Sequence, residues 1–299
     1  MLIYSSQKNK NFQNEENEII IEIEISNEEI GKEINILCDK DTLIKNNKEN
    51  ESFYKENNMN PLKIFNYFNK ENTKLYLNDK EIKFDYKLIF NKNGIYKIKI
   101  KSNEKLINLS SMFYNCIHIK KIKFIKFNTK NVTDMRAMFC YCYKLSELDL
   151  SSFNTNNVTN MKSLFYECKN LCKVDLSSFN TNNVIDMSQM FYNCNNLYNL
   201  NLTSFKTNNV TNMNYMFCYC KKLNELNLSS FNTINVKKMN YMFYDCENLV
   251  ELDLSSFNFN NVYDMIDIFS YCFNLYIMKI NKINYLKIKG KIDINSLWV

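Results

Sequence analysis

Seven phenylalanines recur along this chain at a constant spacing of 26 residues, with no insertion or deletion between them. A cysteine follows each of them three residues later, so a second column has the same period. The two columns are Phe113, Phe139, Phe165, Phe191, Phe217, Phe243 and Phe269, and Cys116, Cys142, Cys168, Cys194, Cys220, Cys246 and Cys272. A strict period of this length indicates a repeat protein, whose units bury their apolar faces by stacking on one another.

Residues 145–168 represent one unit of this repeat. They open with Leu-x-x-Leu-x-Leu (145–150), which has the alternation of a short strand. Two asparagines at 156–157 then mark a bend. In 161–168, Met, Leu, Phe and Cys are spaced i, i+3, i+4 and i+7, as on one face of a short helix. We therefore predict an α/β repeat solenoid, in which each unit contributes a short strand and a short helix.

The unit also resembles a known family of repeats. The segment Leu-Asp-Leu-Ser-Ser-Phe-Asn-Thr-Asn-Asn-Val-Thr-Asn-Met (148–161) and the element Met-Phe-Tyr-x-Cys (190–194, 242–246) are similar to BspA-like leucine-rich repeats. They are closest to the Mycoplasma-type domain of unknown function that is found in many surface proteins. The resemblance covers about residues 106–280. It implies a leucine-rich-repeat solenoid with a strand-lined face and a role in adhesion or protein binding, and it supplies no catalytic residues.

The composition limits how the chain can turn and what it can bind. With 3 glycines and 1 proline, its tight bends must rely on Asn and Asp, which tolerate left-handed backbone. Three isolated glycines cannot form a glycine-rich phosphate loop. His118 is the single histidine, which excludes a two-histidine metal site, and its polar setting predicts a surface position.

The pattern changes on both sides of the repeats, which predicts four segments. Residues 1–16 are polar and predict a disordered arm. Residues 17–105 form a β-rich N-terminal domain, and residues 106–280 form the leucine-rich-repeat solenoid of about seven coils. Residues 281–299 lose the repeat and are expected to be a C-terminal cap, because solenoids need an atypical last unit.

The N-terminal domain shows several alternating segments. The strand at 19–25 and its expected partner at 33–37 flank an Asn-Glu-Glu bend. A short helix is predicted at 62–68, and further strands at 74–77, 81–84 and 95–100, with a turn at Asn78 and Asp79. Two strands, a helix and further strands fit a β-grasp, ubiquitin-like module. An immunoglobulin-like or purely capping sheet is the alternative.

The 11 cysteines raise the question of a metal site or a disulfide framework. Seven of them share one column that faces inward, where a free cysteine behaves as a small hydrophobe. The Cys-Tyr-Cys pairs at 140–142 and 218–220 lack the spacing of a zinc knuckle. We therefore expect free thiols, reducing surroundings and neither a metal nor a cofactor.

The residues that alternate with the strand leucines should point away from the core, and we call them the strand face. The expected ligand is a protein or peptide, with a basic segment matching the acidic, amide-rich centre; a merely solvated surface is the alternative. Lysine does not line this face consistently, so no nucleic acid is expected. The strand face comprises Lys121, Lys123, Glu147, Asp149, Lys173, Asp175, Asn199, Asn201, Glu225, Asn227, Glu251, Asp253 and Lys279.

These observations favour a non-catalytic protein-binding scaffold. The N-terminal domain offers no histidine and a single cysteine, Cys38, so we expect no enzyme. The first residues lack the apolar core of a secretory signal, and no apolar run is long enough to span a membrane. A cytoplasmic location is therefore expected. The alternative is an adhesin of the BspA-like type, at the cell surface or secreted by a non-standard route. Oligomeric state cannot be read from the sequence.

Overall fold

The computed structural model describes residues 16–43 and 68–288 of the 299-residue chain. The predicted N-terminal arm, apart from Glu16, lies outside the described residues. So do the predicted helix at 62–68, apart from Phe68, and residues 289–299 of the predicted cap.

The N-terminal part contains six strands. The strands predicted near 19–25, 74–77, 81–84 and 95–100 are confirmed, with changed ends. Asn78 and Asp79 form the predicted turn, because both have positive φ (48° and 66°), as a tight two-residue hairpin requires. The strands are β1 (Asn17–Ile25), β2 (Glu33–Asn35), β3 (Thr73–Leu77), β4 (Lys80–Ile82), β5 (Lys87–Ile89) and β6 (Gly94–Ser102).

The predicted pairing of the first two strands is wrong. β2 pairs with β5, whereas β1 lies between β6 and β7 (Ile119–Lys126) and is antiparallel to both. Both edges of β1 are thus occupied, and the 3-10 turn Asn27–Glu29 leads the chain away from it. Since β7 belongs to the first repeat, one sheet in the order β4-β3-β6-β1-β7-β8-β9 joins the N-terminal strands to the repeats.

Successive repeats form parallel pairs of short strands in a 26-residue register. Leu148 lies opposite Val174, and Leu226 lies opposite Leu252. A second line of parallel bridges runs from Asn108–Asp134 to Lys238–Asp264 with the same offset. The repeat strands are β8 (Glu147–Asp149), β9 (Lys173–Asp175), β10 (Glu225–Leu226), β11 (Glu251–Asp253) and β12 (Ile277–Lys279). We call each 26-residue unit a coil.

The short helix predicted in each coil is not formed. Residues 161–168 are a run of linked turns in which Ser163 and Glu167 have positive φ. Their amides bond to the next coil: Met161 N donates to Asp186 O (3.1 Å), and the other odd-numbered amides follow the same pattern. In the described part of the chain, helix is confined to Asn27–Glu29, residues 40–43 and α1 (Lys282–Ile288).

The expectation that Asn and Asp supply the left-handed bends holds only at the Asn78-Asp79 turn and a few repeat positions. Most left-handed repeat residues are of other types, such as Ala137 and Gln189. The abundant asparagines act instead through their side chains. Asn154 Oδ1, for example, accepts a hydrogen bond from Asn156 N (3.1 Å), which closes a bend without positive φ.

Two ladders of buried side chains hold neighbouring coils in register. The Phe113 column is fully buried, and its rings stack in parallel at centroid distances of 5.4–5.8 Å, as in Phe191–Phe217. Buried threonines form the second ladder. Thr207 Oγ1 donates to Asn232 O (2.8 Å) and accepts from Asn232 N (2.8 Å), so one hydroxyl satisfies two backbone groups of the next coil.

Candidate partner-binding face

The strand face is built as the alternation of residues predicts. All thirteen of its residues are exposed, while the leucines between them, such as Leu148, are buried. Successive side chains of a strand point to opposite sides of the sheet, so burial of one set exposes the other. The 26-residue register then lines up equivalent positions of neighbouring coils along this surface.

The first half of the strand face carries charges that compensate one another. One row crosses five neighbouring strands and alternates in sign: Lys97, Glu22, Lys121, Glu147 and Lys173 lie opposite one another in turn. Opposite charges at paired positions stabilise a sheet. Glu147 therefore sits between two lysines and does not extend an acidic stripe into this half.

The second half is acidic. Glu225 lies directly opposite Glu251, and Asp253 lies opposite Lys279. Lys279 forms an ion pair with Glu251, so three carboxylates share a single lysine. Like charges on paired positions destabilise the sheet slightly, and a cation placed between them would relieve that repulsion. The negative potential expected at the centre of the strand face is thus confined to this half.

One column of the strand face has a structural role that sequence analysis missed. Each of its side-chain oxygens accepts a hydrogen bond of 2.9–3.1 Å from the backbone amide two residues later. Bonds from Ser177 and Ser255 hold the pKa values of Asp175 and Asp253 below their usual range. A recurring Asp or Asn two residues before Ser or Thr was the available signal. The column is Asp149, Asp175, Asn201, Asn227 and Asp253.

A groove of about 520 Å³ lies on the strand face between β7, β8 and β9. It opens because β7 continues along β1 to Lys126, whereas its pairing with β8 ends at Ile122. Phe124 and Ile125 line it together with charged side chains from all three strands. The groove therefore combines apolar walls with acidic and basic groups, which suits an extended peptide better than a small apolar molecule.

The repeat cysteines are free thiols, and the prediction that their column is buried is confirmed. From Cys142 onward, each Sγ in the column donates to the phenylalanine carbonyl 29 residues earlier, at 3.0–3.2 Å. Burial raises their pKa values, to about 12 for Cys220 and Cys272. Among the described residues, no cluster of three or more His, Cys, Asp or Glu could hold a metal ion.

The second cysteine of each Cys-Tyr-Cys pair belongs to that column, and the first has a different explanation. Every coil contributes one tyrosine to a continuous ladder, from either of two adjacent positions. Where the second position supplies it, the first holds a small buried residue, as with Cys140 before Tyr141 and Cys218 before Tyr219. Consecutive ring centroids lie 4.6–5.5 Å apart through Tyr114, Tyr141, Tyr166, Tyr192, Tyr219, Tyr244 and Tyr271.

We predict that the native protein reacts slowly with thiol reagents. Ten of the eleven cysteines are buried, and Cys172 is half-buried, so Cys172 should be modified first. Its replacement, Cys172→Ser, should remove the fast phase, while denaturant should expose all remaining thiols. Time-resolved titration with a chromogenic disulfide reagent measures both phases. Fast reaction of several thiols in the native state would contradict the structure.

His118 was expected at the surface, and that expectation is wrong. Its side chain is largely buried, and Nε2 lies 2.8 Å from Glu29 Oε1, which also contacts Lys144 Nζ at 3.2 Å. Burial lowers the pKa of His118, while Glu29 opposes that shift. The cluster attaches the turn after β1 to the first two coils. It explains why a polar neighbourhood in the sequence did not mean exposure.

Comparison with known proteins gives one match. The family described as "Mycoplasma protein of unknown function, DUF285" matches residues 84–197 and, in a second copy, residues 170–282. No curated protein and no solved structure matches the chain significantly. Among the described residues, no helix has the length and apolar character needed to cross a membrane.

Proposed function

Starting from the fact that the chain belongs to the family of Mycoplasma proteins of unknown function, DUF285, we propose that it is a non-catalytic protein-binding scaffold. Its partner binds the strand face. The observation that carries the proposal is the placement of thirteen exposed polar side chains beside a groove of about 520 Å³ on one surface. A regular array of this kind offers contacts to an extended segment over several coils.

The partner carries a basic segment that contacts the second half of the strand face. The whole chain has a formal net charge of +6, yet Glu225, Glu251 and Asp253 create a local negative surface. Their attraction for a basic segment would act over about 8–10 Å at physiological salt. The groove beside β7 would receive apolar side chains of the same partner.

We further assign the repeats to leucine-rich-repeat solenoids of the BspA-like kind. The buried leucines of Leu-x-x-Leu-x-Leu, as at Leu145, Leu148 and Leu150, and the parallel register support this assignment. The linked turns in place of helices make each coil mostly β. The cytoplasmic location stays a prediction, with surface display as an adhesin its alternative. Imaging of the tagged full-length protein separates the two.

The test reverses charge where the strand face is acidic. Glu225→Lys with Glu251→Lys should weaken partner capture at least tenfold and reduce its dependence on salt. Both side chains are exposed, and their contacts are worth only about 0.2–1 kcal/mol each, so stability should change little. Affinity capture from a lysate, quantified by mass spectrometry at two salt concentrations, gives the readout.

The control makes the same change of charge elsewhere. Glu28→Lys with Glu71→Lys alters two exposed glutamates outside the strand face. Partners retained by this control and by the wild type, but lost from the strand-face variant, support the proposal. The same set of partners on all three proteins would refute it.

A further inference from the structure

The last coil exposes apolar side chains at positions that other coils cover. Ile266 is 53% exposed, whereas Lys162 and Ser188 in the same column are buried. Tyr271 is 54% exposed, whereas Glu167 in its column is half-buried. In the described part of the chain no further coil follows, so these side chains show the end surface of the stack.

Helix α1 closes only part of this end. Ile288 and Asn284 face the last coil and are buried, and the Asn284 side-chain amide donates to the Phe257 carbonyl. On the other side of the same helix, Ile283 and Leu286 are 70% and 62% exposed. A helix whose outer side is also apolar normally packs against a further element.

We infer that this end surface is an interface between two copies of the chain, which associate last coil to last coil. The end surface comprises Tyr263, Ile266, Tyr271, Phe273, Tyr276, Ile283 and Leu286. Covering these seven side chains would bury about 850 Å² on each copy, close to the roughly 800 Å² per partner of a stable interface. The exposed apolar side chains elsewhere in the described residues are scattered, as expected of an ordinary surface.

The topology selects a two-fold dimer over a growing filament. At the other end of the stack, β7 already pairs with β1, so the edge of the first coil is occupied. A last coil therefore cannot continue the stack of another copy there. β12, by contrast, stands at the end of its described sheet. When the same surface meets itself across a two-fold axis, the assembly closes at two copies.

The charges around the end surface permit this association. Between residues 263 and 286 the charged side chains are Asp264, Asp267, Lys279 and Lys282, two of each sign. Lys279 already pairs with Glu251 of the preceding coil. A two-fold contact would therefore bring together an electrically balanced, mostly apolar surface, with no large repulsion to overcome.

The experiment measures the mass of the full-length chain in solution over a range of micromolar concentrations. Analytical ultracentrifugation should show a concentration-dependent species of about twice 35.8 kDa. Phe273→Asp with Leu286→Asp should shift the dissociation constant at least a hundredfold towards monomer. Ile185→Asp with Tyr198→Asp is the control, because these side chains are 50% and 52% exposed in the middle of the array.

Loss of the dimer in the end-surface variant alone, with an unchanged circular dichroism spectrum, supports the inference. A wild-type protein that stays monomeric throughout would overturn it, and would mean that this surface is covered within the chain or serves another partner. A dimer that withstands the end-surface substitutions, or that is equally weakened by the control, would place the contact elsewhere. Hydrogen exchange, slowed at residues 263–286 as the wild type associates, locates the interface without any substitution.

Discussion

Deletion of residues 171–196 should leave a folded, shorter protein, whereas deletion of residues 171–183 should unfold the repeats. The first deletion removes one whole coil, so Asn170 is followed by Leu197, the column equivalent of Leu171. Every ladder can then form again with the next coil. The second deletion shifts the following columns by half a period, which would place turns against strands and apolar side chains against polar ones.

The energetic difference between these deletions is large because each coil is stabilised mainly by its neighbours. Loss of one coil removes about one interface, whereas a shift of register disrupts the interfaces across the junction and leaves buried amides unpaired. Thermal melting followed by far-ultraviolet circular dichroism should show a cooperative transition for the first variant. The second should show none, and its thiols should react quickly. Similar melting of both variants would rule out the 26-residue register.

Phe191→Ala should cost about 3–5 kcal/mol of unfolding free energy, a large part of the 5–15 kcal/mol that stabilises a typical domain. The Phe191 ring is fully buried and stacks on Phe165 at 5.4 Å and on Phe217 at 5.7 Å. Its removal leaves a cavity and breaks two aromatic contacts at once. Urea unfolding monitored by tyrosine fluorescence measures the loss.

Tyr198→Ala provides the matched control for this substitution. Tyr198 is an exposed aromatic residue of the same coil, so its removal should change stability by less than about 0.5 kcal/mol. If both substitutions shifted the urea midpoint equally, the buried phenylalanine ladder would not be the main source of stability between coils.

Much of the repeat could be predicted because its strands follow local rules. The alternation at 147–149 identified both the buried Leu148 and the exposed strand face, and the fixed period implied parallel pairing between coils. The segment at 161–168 was misread for a physical reason. Linked turns with left-handed residues at 163 and 167 place Met, Leu, Phe and Cys on the same inner side as a helix would. Apolar periodicity therefore cannot distinguish the two backbones.

The features that escaped prediction depend on contacts between distant parts of the chain. The charge row across the sheet includes Glu22 and Lys97, which meet Lys121 only because β1 is inserted between β6 and β7. The same insertion removed β2 from its expected partner. His118 was misplaced because its burial depends on Glu29, far away in the sequence. The columns of the candidate site were predictable, and their electrostatic surroundings were not.

The central claim is that coils stack in a parallel 26-residue register that presents the strand face as one surface. Disulfide trapping tests it most directly, with Glu225→Cys and Glu251→Cys in one protein. These positions are paired neighbours, so their Cα atoms should lie about 4.8 Å apart, within reach of a disulfide. Glu225→Cys with Ser255→Cys is the comparison, because Ser255 is also exposed but lies four residues out of register. Under mild oxidation, we expect a rapid and complete disulfide in the first protein and little in the second. Equal trapping in both, or faster trapping in the second, would contradict the register and the surface built on it.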